Sequence, residues 1–198
     1  ALMLAQNDLG SIGNNTALFD QNNTSIQTAR QFVKYFKDAK LCETASQQGC
    51  SQFYYNTRYA VPQANDNDTF YGSNNSGPAI ILTNGAVLRI SQINGNTDCS
   101  LLVNSCKTDQ YGRCLKDENG NNIKVSYTNY RCGYIRFDVN GIKGPNRYGE
   151  DNFGAVVALR KLEPEPWNAI GYASLRNILS GKNKLEFTDY QIGGKIDN

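Results

Sequence analysis

The sequence predicts an α+β fold in which an N-terminal helix packs on an antiparallel β-sheet, with long loops held in place by disulfides. Three features support this fold class: a capped amphipathic segment near the N-terminus, a strong β-hairpin signal in the middle of the chain, and six cysteines. A chain of 198 residues is long enough to bury a core of its own and has the length of one domain. We therefore expect a single domain over residues 1–198.

The predicted domain has four consecutive parts. Residues 1–41 form a helical N-terminal part, and residues 42–78, which are rich in Asn, Gln, Ser and Tyr, form a loop region. Residues 79–162 form the antiparallel sheet and include a cysteine-rich insertion at 94–122. Residues 163–198 form a C-terminal extension.

Two segments give the N-terminal part its helical character. Residues 1–9 are compatible with a helix but too few to be stable alone, so we expect them to end a longer helix. Because the sequence begins with Ala1 and not with Met, we expect an export signal or membrane anchor to precede it. Thr24 and Gln27 have the spacing of a capping box, and apolar residues recur at helical intervals after them. This pattern predicts a helix over residues 24–41.

The sheet is predicted from turn residues and from β-branched or aromatic runs. Residues 79–83 and 86–90 flank Asn84-Gly85, a pair that tolerates the positive φ angles of a two-residue type I′ turn. The runs at 123–127, 134–139 and 153–159 predict three further strands. After them, apolar residues between Ile170 and Leu179, followed by Gly181, predict a short helix with a glycine stop.

The cysteines predict disulfides and an oxidising compartment. Their number is even, and none of their spacings is the C-x2-C pair of a zinc site. Six cysteines allow 15 pairings; proximity favours Cys42 with Cys50, and the pairing of the other four stays open. The six predicted disulfide residues are Cys42, Cys50, Cys99, Cys106, Cys114 and Cys132.

Composition argues against most enzyme classes. The chain has no His, which excludes Ser-His-Asp, Cys-His and His-zinc sites. The acidic pairs Asp66 with Asp68 and Asp117 with Glu118 lie in polar, turn-rich surroundings that are typical of solvated loops, not of a hydrolase cleft. We therefore predict that the protein is not an enzyme, with no catalytic residues and no organic cofactor.

One segment carries a resemblance to a known family. Residues 132–153 contain, in order, a strand that ends in Asp138, an Asn-Gly turn, a Gly-Pro-Asn turn, an acidic pair, and Phe153, which opens the last strand. This pattern resembles the bacterial type IV pilin-like and type II secretion pseudopilin-like proteins. The order of parts, with a helix first, a Cys-flanked loop next and an antiparallel meander after it, is similar as well.

The resemblance implies a fold, a function and partners. Such proteins pack a long N-terminal helix on an antiparallel sheet and bury the apolar half of that helix in a filament core. It implies a structural subunit of a type IV pilus or type II secretion filament, with other pilin or pseudopilin subunits as partners and an inner-membrane anchor in a preceding helix. The expected location is the bacterial cell surface, the periplasm or the extracellular space.

The loop at 138–151 has two readings. Asp138, Asn140 and Asp151, with Glu150 nearby, offer oxygen ligands of the kind that Ca²⁺ binds, and the resemblance implies that pseudopilins can hold calcium in this loop. The alternative is structural, since Asp and Asn side chains often close their own turns. In that reading, Asp138 closes an Asx turn and Asp151 caps the return into the strand.

A binding module is the alternative function. Three consecutive aromatic residues at 53–55, if exposed, would form an adhesive patch in a secreted carbohydrate- or protein-binding adhesin; otherwise they cover the edge of the core. A nucleic-acid partner is disfavoured, because acidic residues are interleaved with the basic ones and the net charge is only +2. The basic residues in question are Arg131, Arg136, Lys143 and Arg147.

Overall fold

The computed structural model describes residues 1–57, 77–93, 98–108, 114–165 and 172–182. Asp66 and Asp68, and with them the larger part of the predicted loop region 42–78, lie outside these ranges. So does the larger part of the predicted C-terminal extension 163–198.

Helices and a mostly antiparallel sheet make up the described chain, which confirms the α+β class. The helices are α1 (Leu2–Asp8), α2 (Ser25–Phe32) and α3 (Tyr172–Leu179). The strands are β1 (Lys40–Cys42), β2 (Ala79–Ile81), β3 (Val87–Gln92), β4 (Ser100–Cys106), β5 (Lys124–Tyr130), β6 (Gly133–Asp138), β7 (Asn152–Val157) and β8 (Leu162–Pro164). Six of them form one sheet in the order β1-β2-β3-β6-β7-β8, in which every pairing is antiparallel. The other two, β4 and β5, pair only with each other in the described chain and form a separate ribbon.

Helix α2 starts as the sequence predicts but is shorter. Thr24 Oγ1 accepts from the Gln27 N–H at 3.2 Å, and the Thr24 N–H donates to Gln27 Oε1 at 2.7 Å, so both halves of the capping box form. The α-helix ends at Phe32, a 3-10 turn follows, and Asp38 adopts a left-handed φ of 55°. The predicted helix over 24–41 is therefore wrong beyond this point, because β1 already begins at Lys40 and pairs with β2.

The hairpin of β2 and β3 is confirmed, but its turn is longer than predicted. Ile81 lies opposite Val87, so five residues connect the strands and the two-residue turn is wrong. The Leu82 N–H donates to the Ala86 carbonyl, and the Asn84 side chain accepts from the Ala86 N–H. Of the Asn-Gly pair, Gly85 alone has a positive φ. Local hydrogen bonds by Leu82 and Asn84 thus replace the type I′ geometry.

Different residues pack against the two faces of the six-stranded sheet. On one face, α2 packs over β3, and buried apolar residues such as Ile80, Ile90 and Ile135 meet Phe32. On the other face, Ala79, Ile81 and Val87 pack with the Cys42–Cys50 disulfide and with Phe53 and Tyr54. Since side chains alternate along a strand, the second face also receives the polar residues of β3, β6 and β7.

All six cysteines are paired, which confirms the predicted disulfides. Cys42 bonds Cys50, as proximity predicts, with a Cα–Cα distance of 5.6 Å. The remaining bonds join Cys99 to Cys132 and Cys106 to Cys114. Disulfides are typical of oxidising compartments outside the cytosol. No helix in the described ranges combines the length and the apolar character needed to cross a membrane.

Candidate functional site

Two rows of residues cross the second face of the sheet. Arg89 of β3 lies opposite Arg136 of β6, which lies opposite Gly154 of β7. In the neighbouring row, Val87, Asp138 and Asn152 follow one another in the same way. The register therefore gathers two guanidinium groups, a carboxylate and an amide on a face that residues 53–57 cover. We call this group the polar face cluster.

Asp138 ends β6 and closes the turn that follows it. Its Oδ1 accepts from the N–H groups of Asn140 at 3.1 Å and Gly141 at 2.6 Å. Its Oδ2 accepts from Asn152 Nδ2 at 3.4 Å. In the amide orientation that satisfies both of its polar groups, Asn146 donates to the same Oδ2 at 3.0 Å. With only 2% of its surface exposed, this carboxylate joins three segments of the chain.

Asp151 holds the second turn of the loop. Its Oδ2 accepts from the Asn146 N–H at 2.8 Å, and its Oδ1 accepts from the Arg147 N–H at 2.7 Å. Asn146 has a φ of 53°, a left-handed conformation that Asn tolerates better than most residues. Both carboxylates bind backbone N–H groups, as turn-forming residues do. Asp138 closes the predicted Asx turn, whereas Asp151 binds the preceding turn at 146–147 and not the return into the strand.

Arg89 is buried beneath the three aromatic residues at 53–55. Its Nη2 donates to the Phe53 carbonyl, and its guanidinium carbon lies 5.0 Å from the Tyr54 ring centre and 5.6 Å from that of Tyr55. Burial lowers the pKa of Arg89, although the nearby tyrosines and Asp138 oppose this effect. The aromatic residues are all partly buried, so they cover the sheet and do not form the exposed patch of the adhesin hypothesis.

Arg136 forms a buried ion pair at the other end of its row. Its Nε donates to Glu165 Oε1 at 3.0 Å, and the Glu165 side chain is inaccessible to solvent. This carboxylate lies over Gly154, where a Cβ would collide with it. Glycine at this strand position therefore makes room for the ion pair, and Arg136 also lies 5.9 Å from the ring centre of the buried Tyr148.

A cavity of about 10 Å³ lies within the polar face cluster. Buried polar atoms without a hydrogen-bond partner in the described chain include Tyr55 OH, Arg89 Nη1 and Asn152 Oδ1, and all three residues line the cavity. The Tyr55 hydroxyl is close enough to Asp138 to feel its charge, but it makes no hydrogen bond of normal geometry with any residue of the described ranges. The volume suits one water molecule and is far below that of a substrate pocket.

The loop at 138–151 offers few free oxygen ligands for Ca²⁺. Ca²⁺ takes six to eight oxygens, whereas the carboxylate oxygens of Asp138 and Asp151 already accept hydrogen bonds. Asn140 Oδ1 is buried without a partner among the described residues, but its Nδ2 already binds the Gly144 carbonyl. No group of three or more Asp, Glu, Cys or His side chains suited to a metal occurs in the described part of the chain. Calcium binding stays a prediction, and the geometry favours the turn-forming role.

Acidification should favour the wild-type protein over an Asp138→Asn variant. Burial, and after it the charge of Asp151, raises the pKa of the Asp138 carboxyl above its usual value of 3.8. The folded protein therefore binds the Asp138 proton more tightly than the unfolded chain does. The stability gained from protonating Asp138 is complete at low pH and is lost as the pH rises through the raised pKa. Urea unfolding of both proteins at neutral pH and at about pH 4 measures the difference in stability. A wild type that loses stability relative to the variant on acidification would contradict this assignment.

The other candidate residues are scattered. Asp117 and Glu118 lie exposed in a turn, where Asp117 Oδ1 accepts from two backbone N–H groups. Of the basic residues, Arg147 has its Nη1 atom 3.7 Å from Glu150 Oε2, and Arg131 Nη1 donates to the Tyr134 hydroxyl. These contacts do not gather the basic residues into one group.

Sequence reasoning missed Arg89 and Glu165 as parts of the site. A lone Arg inside an apolar strand, and a Gly in the middle of another, were the available signals, since strand glycines often mark a close approach. Neither signal names the partner.

Comparison with protein-family models, with curated proteins and with solved structures gives no match.

Proposed function

We propose that this chain is the globular head of a filament-forming surface subunit of the type IV pilin or pseudopilin kind. In this proposal the head is structural, and its partners are other subunits of the filament. The location is the bacterial surface, periplasm or extracellular space, in keeping with three disulfides. The chain performs no catalysis.

The observation that carries the proposal is the apolar surface of the first helix. Ala5 of α1 is fully buried against the domain, while Met3 is 81% exposed and Leu4 58% exposed. Shortly after the helix, Ile12 is 81% exposed as well. Exposed apolar residues close together on and just after one helix are typical of a surface that another protein covers.

The architecture of the head supports the same proposal. Helix α2 precedes the sheet and packs on β3, where Thr28 Oγ1 donates to Gln92 Oε1 at 2.9 Å. The segment that carries the family resemblance forms β6, the 138–151 loop and β7, the last long strands of the sheet. An N-terminal helical part followed by an antiparallel sheet is the order that the resemblance implies.

The reading frame upstream of Ala1 tests the proposal first. We expect a short basic leader that ends in Gly, followed by about 20 apolar residues with a Glu near their start. An ordinary cleavable signal peptide directly before Ala1 would overturn the filament proposal and favour the secreted binding module.

Replacing Leu4 by Lys in the full-length protein should reduce its incorporation into filaments about tenfold, since a charge in an apolar contact costs at least 1.4 kcal/mol. Filaments sheared from cells and quantified by immunoblot give the readout. Ile142→Lys is the control, because Ile142 is 49% exposed and follows Gly141, which lies against Gly85 and Val87, whereas Ala5 of α1 packs in the core of the opposite face. Equal incorporation of Leu4→Lys and wild type would argue against α1 as the subunit contact.

A further inference from the structure

The β4–β5 ribbon is a protruding arm of the molecule. It is inserted between β3 and β6, and none of its fourteen residues is buried. Leu102 is 65% exposed and Tyr130 56% exposed, on the same face of the ribbon. Each strand pairs on one side, and within the described ranges no third strand pairs with residues 101–105 of β4. At the ends of β4, the Ser100 N–H donates to Asp98 Oδ1 and the Lys107 carbonyl accepts from the Leu115 N–H.

The edge of β4 lacks the features that prevent strands from associating. The outer strands of the main sheet have them: β1 is three residues long and includes Lys40, and β8 is three residues long and includes Glu163 and Pro164. Short length, charge and proline all discourage pairing with another chain. In contrast, β4 has seven residues with the sequence SLLVNSC, without a charge or a proline. The two edges of the main sheet are therefore protected in a way that β4 is not.

Disulfides fix the ribbon at both ends. The Cys99–Cys132 bond joins the segments that enter and leave the ribbon, where the ribbon meets the sheet. Cys106, the last residue of β4, bonds Cys114. An isolated two-stranded ribbon is marginally stable in water. The Cys99–Cys132 bond therefore keeps β4 beside β5 at the base of the ribbon, which reduces the entropy lost when a partner binds.

The charges at the ends of β4 favour one arrangement. Asp98 precedes the strand and Lys107 follows it, and both are exposed. When two copies of β4 lie antiparallel, the Asp98 end of each copy lies beside the Lys107 end of the other. A parallel arrangement would place like charges together. The uncharged centre adds no repulsion, so the strand is complementary to itself.

We propose that β4 pairs antiparallel with β4 of a second copy of this chain, joining two ribbons into a continuous four-stranded sheet. The contact has two-fold symmetry and uses backbone hydrogen bonds, with apolar side chains adding surface. It is independent of filament assembly through the first helix, because it involves a different element.

A pair of variants on the two edges of the ribbon tests the proposal. Asn104 of β4 lies opposite Ser126 of β5, and the Ser126 hydroxyl donates to Asn104 Oδ1 at 2.7 Å. Asn104→Lys and Ser126→Lys therefore lose the same hydrogen bond and add the same charge on the same face, but on opposite edges. Analytical ultracentrifugation of the disulfide-intact protein across a concentration series gives the dimer dissociation constant. Near-ultraviolet circular dichroism and intact mass verify the fold and the disulfides of each variant.

We expect a concentration-dependent dimer for the wild type, a dissociation constant about tenfold higher for Asn104→Lys, and a change below about twofold for Ser126→Lys. A wild type that stays monomeric up to about 1 mM, which corresponds to a binding free energy weaker than about −4 kcal/mol, would overturn the proposal. Equal weakening by both variants would overturn it too, because the contact would then involve the face of the ribbon and not the edge of β4.

Discussion

Replacing Gly141 by alanine should destabilise the protein by about 3–4 kcal/mol, near the upper end for a single substitution. Gly141 has a φ of 66°, which costs an L-residue about 1 kcal/mol. In addition, a Cβ at this position would collide with the carbonyl oxygen of Gly85, in the turn between β2 and β3. The two turns touch through their backbones, so neither can yield by rotating a side chain.

Gly120→Ala provides the matched control. Gly120 also has a positive φ, 81°, but a Cβ there would meet no atom within 4 Å. We expect this control to lose only about 1 kcal/mol, the cost of the backbone conformation. Urea unfolding of both variants measures the free energies. A loss for Gly141→Ala no larger than that of Gly120→Ala would mean that the two turns do not pack as described.

Replacing Asp138 by alanine should cost about 3 kcal/mol of stability. The substitution leaves the N–H groups of Asn140 and Gly141 without their acceptor, and it removes one of the two acceptors of Asn152 Nδ2, which keeps Thr57 Oγ1. Buried donors that lose their acceptor each cost about 1–3 kcal/mol. Relief from burying a carboxylate offsets part of this loss, so the total is smaller than the sum.

Asp117→Ala separates burial from turn formation. Asp117 accepts from the N–H groups of Asn119 and Asn121 at 2.9 and 2.8 Å, in a fully exposed turn where water can replace the lost acceptor. We expect a loss of about 1 kcal/mol or less for this control. Thermal unfolding with calcium and with a chelator adds a second comparison. A calcium-dependent rise in wild-type stability that Asp138→Ala lacks would revive the calcium reading of the loop.

Features with local causes could be predicted from the sequence. The start of α2 depends on Thr24 and Gln27, which lie three residues apart, and the hairpin of β2 and β3 depends on its own turn residues. The end of α2 could not be predicted in this way. Lys40 and Leu41 follow an apparently helical pattern, but they pair with Ile81 and Ile80, about forty residues later, so these two residues are in a strand and not in the helix.

The site was predictable only in its loop. Asp138 and Asp151 carry their own turn signals, and the structure places them at the two ends of the loop that connects β6 to β7. The polar face cluster depends on register: Arg89 meets the aromatic residues at 53–55, and Arg136 meets Glu165, 29 residues further along the chain. Such contacts require the strand order β3-β6-β7, which the sequence does not specify.

The disulfide between Cys99 and Cys132 allows the β4–β5 arm to vary independently of the sheet. Strands β3 and β6 are neighbours, although a long excursion lies between them, and the bond closes 33 residues of that excursion at its neck. Closing a loop of this length costs the unlinked chain about 3–4 kcal/mol. With the Cys99–Cys132 bond in place, pairing β3 with β6 no longer includes the entropy of closing this loop, whatever the sequence between the two cysteines. The length and sequence of the arm can therefore change without any change in the six-stranded sheet.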